Sequence, residues 1–324
     1  VELKGIHHVS ALTAKASNNY QFYTKVMGMR LIKKTVNQDD TSVYHLFYGD
    51  EEGRPGTELT FFEIPMAART HEGGNSISAT SLRVRDNAAL EYWKQRFEQH
   101  NVYHEDIVDR GGRLTLAFRD PEGQRLILVS DEKNIGVEAG IPWAKSSVPA
   151  ESAVLGLGPV KLTVRYPEAT IGVLTEVLGF RHKAAYPNPE HGQPHILVYE
   201  TGEGGSGAEI HIEERTDLPP ERLGRGGVHH VAFRVNNEDE MKGWIEKVNE
   251  AGISNSGFVD RFYFRSLYFR EPNGILFELA TDGPGFDTDE DIEHLGESLA
   301  LPPFLEGKRK EIEARLKPLD TRAE

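Results

Sequence analysis

No residue of the chain is a cysteine. That absence excludes disulfides, thiolate zinc sites, iron–sulfur clusters and cysteine nucleophiles, and it suits a reducing, cytoplasmic setting. Positive charge is also short. Lysine and arginine number 37 against 51 acidic residues, and the net charge of −14 argues against nucleic acid or an anionic membrane as partner. No apolar run approaches a membrane span, and the N-terminus lacks a signal-peptide pattern. What is present is a soluble, globular composition, 38% hydrophobic and 27% charged, over 324 residues, long enough for two domains with a core each. With 13 histidines and no thiol, any transition metal here must be held by nitrogen and oxygen.

Residues 6–12 have the pattern of a strand, and 18–27 that of a helix with Tyr20, Phe22, Tyr23 and Val26 on one face, ended by Gly28. Strands over 30–36, 43–48 and 58–63 follow, the last after the turn Gly53-Arg54-Pro55-Gly56. The same β-α-β-β-β order recurs with a strand at 78–84, a helix at 88–97 and strands near 103–109, 113–119 and 125–130. A shift of 151 positions then lays the second half on the first. Val26-Met27-Gly28-Met29-Arg30 falls on Val177-Leu178-Gly179-Phe180-Arg181, Trp93 on Trp244, and Phe118-Arg119-Asp120-Pro121-Glu122-Gly123 on Phe269-Arg270-Glu271-Pro272-Asn273-Gly274. One constant offset over so many anchors marks an internal duplication. The expected fold is α+β, four βαβββ modules at about 4–66, 76–131, 155–215 and 226–282. They fall into two duplicated domains, 1–131 and 155–282, joined by a linker at 132–154. Residues 283–324 form a C-terminal loop and helix extension, the helix at about 305–316, packing across the body or at a dimer contact.

A framework residue should recur in both halves, whereas a site residue need not. His229 and His230 fall on Ser78 and Ala79, Glu278 on Ile127, and His8 on Pro159. Glu278 lies in Leu276-Phe277-Glu278-Leu279-Ala280, where an ionised carboxylate is costly unless paired or bound to a metal. Two His-His pairs, His7-His8 and His229-His230, and this one carboxylate are the raw material of a metal site.

Four such modules in two domains resemble the vicinal-oxygen-chelate superfamily of glyoxalases, bleomycin-binding proteins and extradiol ring-cleaving dioxygenases. The resemblance implies that two modules pair into a curved sheet around a cleft, with ligands on the first and fourth strands of each module. The first-strand slots then hold His8, Ala79, Pro159 and His230, and the fourth-strand slots Thr60, Ile127, His211 and Glu278. Pairing modules one and four collects His8, Thr60, His230 and Glu278; pairing three and four collects Pro159, His211, His230 and Glu278. Either supplies two histidines and one carboxylate, the triad that leaves open positions on Fe(II). The matching His-His pairs favour His8, with His211 the alternative.

The segments GIHHVS, VMGMR, YHLFYGDEEGRPGTELTFF, GGVHHVAFRV and DRFYFRSLYFREPNGILFELATD are similar to those of the hydroquinone-type ring-cleaving dioxygenases. The similarity runs over nearly the whole chain. It implies an extradiol-type dioxygenase that acts on a hydroquinone-like dihydroxy-aromatic ring with O2, in aromatic catabolism or quinone detoxification. It also implies His8, His230 and Glu278 as metal ligands, with Fe(II) the metal and Mn(II) or another divalent ion the alternative. His7, Ser10, His229, Arg261 and Tyr268 are the implied catalytic and supporting residues. Tyr268 falls on Ala117, which favours function; Arg261 falls on Arg110, which suits a framework ion pair equally well. His45 and His195 sit on mid-module strands and read as packing or pocket wall. Two other functions compete: a glyoxalase-type metal-dependent lyase or isomerase using Thr60 or water as fourth ligand, and a non-catalytic small-molecule binding protein. A homo-oligomer is compatible with the sequence and not specified by it.

Overall fold

The structure is a computed structural model that describes residues 1–322; the last two positions of the expected extension lie outside the described residues. Module one runs β1 (Ile6–Thr13), α1 (Ala16–Gln21), β2 (Arg30–Asn37), β3 (Asp40–Gly49) and β4 (Glu58–Glu63). Module two is β5 (Ser76–Val84), α2 (Asn87–Gln99), β6 (His104–Arg110), β7 (Arg113–Arg119) and β8 (Arg125–Ser130). Module three is β9 (Leu157–Val164), α3 (Pro167–Gly172), β10 (Arg181–Tyr186), β11 (Ile196–Glu200) and β12 (Glu209–Glu214). Module four is β13 (Val228–Val235), α4 (Glu238–Glu250), β14 (Val259–Asp260), β15 (Phe264–Arg270) and β16 (Leu276–Pro284). The α+β architecture of four βαβββ modules is the one expected.

The long helices form for ordinary reasons. Asp86 caps α2 by accepting from the Ala89 N–H, and Asn237 caps α4 by accepting from Glu240. Leu90, Trp93 and Phe97 on α2, and Met241, Trp244 and Val248 on α4, recur at helical spacing and are buried. The expected helix at 18–27 differs. Its first part, α1, has no capping side chain and passes into a π turn over Phe22–Val26, and α3 does the same over Val173–Val177. The wide turn closes with the Met27 N–H on the Phe22 carbonyl and then reverses at Gly28, whose φ of 67° places a would-be Cβ 2.4 Å from Ser146 Oγ. The expected C-terminal helix is also broken, into α5 (Pro303–Glu306) and α6 (Arg309–Arg315), at Gly307, a poor helix residue.

Two eight-stranded sheets result, in the orders β14-β15-β16-β13-β1-β4-β3-β2 and β10-β11-β12-β9-β5-β8-β7-β6. Each takes one module from each half of the chain. Modules one and four share the first sheet; modules two and three share the second. In the first, β1 and β13 pair antiparallel at the centre, and each lies parallel to the fourth strand of its own module. One side of this sheet carries His8, His230 and Glu278, and its other side buries Val9, Ala11, Leu59 and Phe61 with Tyr23 and Met27 in the main core. No helix among the described residues is long and apolar enough to cross a membrane.

Residues after β16 pack back onto module one. Leu305, Ile312 and Leu316 are buried in the main core, Tyr44 Oη donates to the Lys317 carbonyl at 2.6 Å, and Lys34 Nζ to that of Leu319 at 2.7 Å. The extension therefore contributes to the fold's stability. Ile312→Ala removes most of a side chain only 2% exposed, so it should lower the unfolding free energy by about 2–5 kcal/mol in urea titrations. An unchanged midpoint would show the extension to be a loosely attached tail.

Candidate metal centre

Three neighbouring central strands, β16, β13 and β1, supply Glu278, His230 and His8. The register pairs Glu278 with Ala232 and Ala232 with His8, and Ser10 with His230, so all these side chains rise from one face. Ala232 on β13, between Glu278 on β16 and His8 on β1, is small enough to let those two side chains converge. His230 Nε2 lies 2.9 Å and His8 Nε2 3.1 Å from Glu278 Oε1, and the two nitrogens are 3.2 Å apart. All three residues are buried. Three donors about 2.1 Å from one ion, at right angles to one another, would stand about 3.0 Å apart. The donors thus fit one face of an octahedral divalent cation.

The protonation pattern fits as well. Glu278 Oε2 accepts from Ser266 Oγ at 2.7 Å, while Oε1, despite the two close nitrogens, receives no hydrogen bond of proper direction. Burial would push the Glu278 carboxyl up, but positive charge on the His8 and His230 rings outweighs it and holds the group well below its usual range, a part that a cation held among neutral rings would take over. Behind His8, His7 Nε2 meets the Thr281 carbonyl at 3.0 Å and His7 Nδ1 meets His8 Nδ1 at 2.8 Å. A carbonyl only accepts, so the neutral His7 ring carries its proton on Nε2. Its Nδ1 must then accept from His8 Nδ1–H, which leaves a lone pair on His8 Nε2 facing Glu278 and His230. His229 stands to His230 as His7 does to His8, with 2.9 Å between their Nδ1 atoms. Burial first and His8 second lower the His7 pKa to about 3, and burial followed by His230 lowers that of His229 to about 4, although one edge of the His229 ring meets solvent.

Adjacent strand residues ordinarily face opposite sides. Here they do not, because each supporting histidine is the extra residue of a bulge. The β1–β13 register slips between Ile6 and His8, which sets His7 apart, and between Ser10 and Ala11, which sets His229 apart. The second sheet keeps both irregularities in its β5–β9 pair, with Ser78 at the place of His229 and Gly158 at that of His7.

The triad opens on a cavity of about 50 Å³ walled by Phe47, Phe62, Tyr263, Phe264 and Tyr268. Ser10, Arg261 and Tyr268 line it together with the three candidate ligands; His7 and His229 do not. Ser10 Oγ bonds Thr60 Oγ1 at 2.7 Å. Arg261 Nε donates to Tyr268 Oη at 3.0 Å, and the guanidinium reaches the exposed Asp39 carboxylate at 3.3 Å. Burial, then Glu278, pushes the Tyr268 hydroxyl well above its usual pKa. A larger cleft, about 830 Å³, surrounds Arg54, Arg83 and Arg234 and includes none of these residues. His211 is in the other sheet, bonded to Tyr186 Oη at 2.7 Å and Glu209 Oε1 at 2.9 Å, away from His230. The pairing of modules three and four in one sheet does not occur.

The cavity also holds residues that the sequence did not single out for the site: Thr35, Asp39, Phe47, Phe62, Tyr263 and Phe264. His45, read there as packing or pocket wall, is a lining residue. The repeat did carry a signal for it, since its counterpart is Ile196.

A family model described as the Glyoxalase/Bleomycin resistance protein/Dioxygenase superfamily matches residues 5–128 and 156–279. The chain is 56% identical over 319 residues to a Bacillus subtilis (strain 168) protein provisionally named ring-cleaving dioxygenase MhqA, covering 98% of this chain and 100% of that one. It is 31% identical over 318 residues to the chlorohydroquinone/hydroquinone 1,2-dioxygenase of Sphingobium indicum, covering 96% of this chain and 95% of that one. The crystal structure of a provisionally assigned dioxygenase from Bacillus subtilis subsp. subtilis str. 168 superposes with a TM-score of 0.88 at 34% identity, over 100% of this chain and 99% of that one. The matched spans are the two halves found from the internal repeat, and the chain belongs to the Glyoxalase/Bleomycin resistance protein/Dioxygenase superfamily.

Proposed function

We propose that this protein is an Fe(II)-dependent, extradiol-type ring-cleaving dioxygenase that acts on a hydroquinone-like dihydroxy-aromatic ring with O2. His8, His230 and Glu278 hold the metal, for which Mn(II) is the alternative. The carrying observation is a buried face of two imidazole nitrogens and one carboxylate oxygen opening on an aromatic-walled cavity. The names of the relatives that match over nearly their whole length support the reaction class. A glyoxalase-type lyase with Thr60 as fourth ligand is disfavoured, because the Thr60 hydroxyl is engaged by Ser10 at 2.7 Å and His45 at 3.0 Å. The absence of cysteine suits a cytoplasmic enzyme.

Held by His8, His230 and Glu278, a divalent iron would supply Lewis acidity and the one-electron chemistry that O2 requires. The protein's own groups do the rest. Phe47, Phe62 and Phe264 wall the cavity, exclude water and offer flat faces to a ring. Tyr268 accepts from Arg261 Nε, so its own proton is free to point into the cavity and stabilise developing oxygen anion charge. Arg261 fixes that hydroxyl and adds positive charge. His7, anchored on the Thr281 carbonyl, holds the ligand tautomer of His8, and His229 is placed to do the same for His230. They are positioning residues.

Each assignment has its measurement. Fe(II)-loaded wild type should consume O2 when given a hydroquinone, and turnover of a methylglyoxal–thiol adduct without O2 would overturn the proposal. His8→Ala, His230→Ala and Glu278→Ala should each abolish metal retention through gel filtration, while His211→Ala should keep wild-type stoichiometry. His7→Phe should weaken metal affinity by about 10–100-fold through loss of the tautomer lock, seen in competition with a chelator. Unaltered affinity there would make His7 a packing residue. Tyr268→Phe should retain the metal and lower kcat by about 10²–10³, the scale of one lost oxyanion donor. A change confined to KM would make Tyr268 a binding residue only.

A further inference from the structure

The triad on β16, β13 and β1 occupies the floor of the cavity, with Arg261 and Tyr268 on the β15 flank. The opposite flank, formed by β2 and β3, carries two polar groups without an assigned task. Thr35 on β2 and His45 on β3 are directly opposed in the register, so both side chains leave the same face, and both line the cavity. Thr35 is 3% exposed and its hydroxyl has no hydrogen-bond partner. An orphaned hydroxyl in a buried site is costly unless something completes it.

His45 is held on both ring faces and at one nitrogen. Its ring lies between Phe47 and Phe62, with centroids 4.1 and 4.0 Å away, and its Nε2 is bonded to Thr60 Oγ1. Burial keeps the imidazole neutral, so the nitrogen that Thr60 does not engage, Nδ1, remains a donor or an acceptor, and no described residue bonds it. The fold does not require either residue. At the matching places of module three stand Tyr186 and Ile196.

We infer that Thr35 and His45 form a subsite for the second ring hydroxyl, the one that is not on the metal, and so select a 1,4-dihydroxylated ring over a monophenol. A phenolic hydroxyl both donates and accepts. Between cross-strand neighbours it would accept from Thr35 Oγ1–H and donate to His45 Nδ1, which completes both groups at once. Phe47 and Phe62 keep water from competing. This rests on the dioxygenase reading, with one ring oxygen at the triad.

Anaerobic calorimetry on the metal-loaded protein, with hydroquinone and with phenol as ligands, tests the assignment. Thr35→Val keeps the side chain's shape, and His45→Ile installs the residue of the sister module. Each should weaken hydroquinone binding by about tenfold or more, leave phenol binding within about twofold, and leave metal retention unchanged. Thr35→Val should also melt no lower than wild type, since it removes an unpartnered buried hydroxyl. If hydroquinone and phenol shift together, or neither shifts while O2 consumption with hydroquinone persists in the wild type, the subsite is wrong and the dioxygenase reading stands. If the loaded wild type neither binds nor turns over hydroquinone, the dioxygenase reading itself fails.

Discussion

Two imidazole nitrogens and a carboxylate oxygen crowd within 3.2 Å of one another, and the oxygen receives a hydrogen bond from neither ring. Electron-rich atoms do not gather this way in a dry interior without compensation. The rest of the first sheet can be understood as the frame that holds them there. Three adjacent strands place the ligand positions, Ala232 keeps the space between them clear, and Ser266 fixes the carboxylate so that one oxygen faces inward. The exchange of modules between the two halves matters for the same reason. β1 and β13 meet only because module one pairs with module four, some 220 residues along the chain.

The second sheet serves as an internal control. It has the same strand order, the same bulges and the same π turns, but Ala79, Ile127 and Pro159 stand where the first has His230, Glu278 and His8. The contrast extends to a pair of matched glutamates. Glu209 is met by Arg113 at 2.7 Å and Lys183 at 2.9 Å and is held well below the usual carboxylate pKa, where hydrogen bonds from Arg113 and His211 outweigh burial. Its counterpart Glu58 has Phe264 in the place of Arg113, has no hydrogen-bond partner, and is pushed well above the usual value by burial and by Asp50. One scaffold tolerates an ion-pair network in one sheet and a ligand face in the other, so the backbone alone does not dictate the chemistry.

Much of this was legible from the residues. The duplication exposed the modules, and comparison of the halves isolated His8, His230 and Glu278 as side chains the fold does not need. The bulges were not legible, since one extra residue in a strand leaves no compositional mark. Alternation of faces left the roles of His7 and His229 open, whereas the structure turns them behind the ligands and out of the cavity. The flank formed by Thr35 and His45 was hidden for a different reason. Those residues reach the site only because the sheet curls β2 and β3 over it, and curvature is a property of the whole sheet. The expected helix at 305–316 overlooked the break at Gly307, which glycine's poor helix propensity marks; the π turn after α1 carries no such mark, because its buried Phe22 and Tyr23 also suit an ordinary helix.

The slot without a candidate ligand has as much consequence as the three that carry one. Thr60 occupies, in module one, the fourth-strand position that Glu278 occupies in module four, on the same side of the same sheet. A carboxylate there would offer a fourth donor and leave an octahedral cation two open positions instead of three. The hydroxyl instead bonds Ser10 on one side and His45 on the other, two residues that line the cavity, and is engaged by them. The same residue thus adds no donor to the triad and orients the His45 imidazole in the cavity wall. Openness beside the triad and order in the wall follow from one side chain.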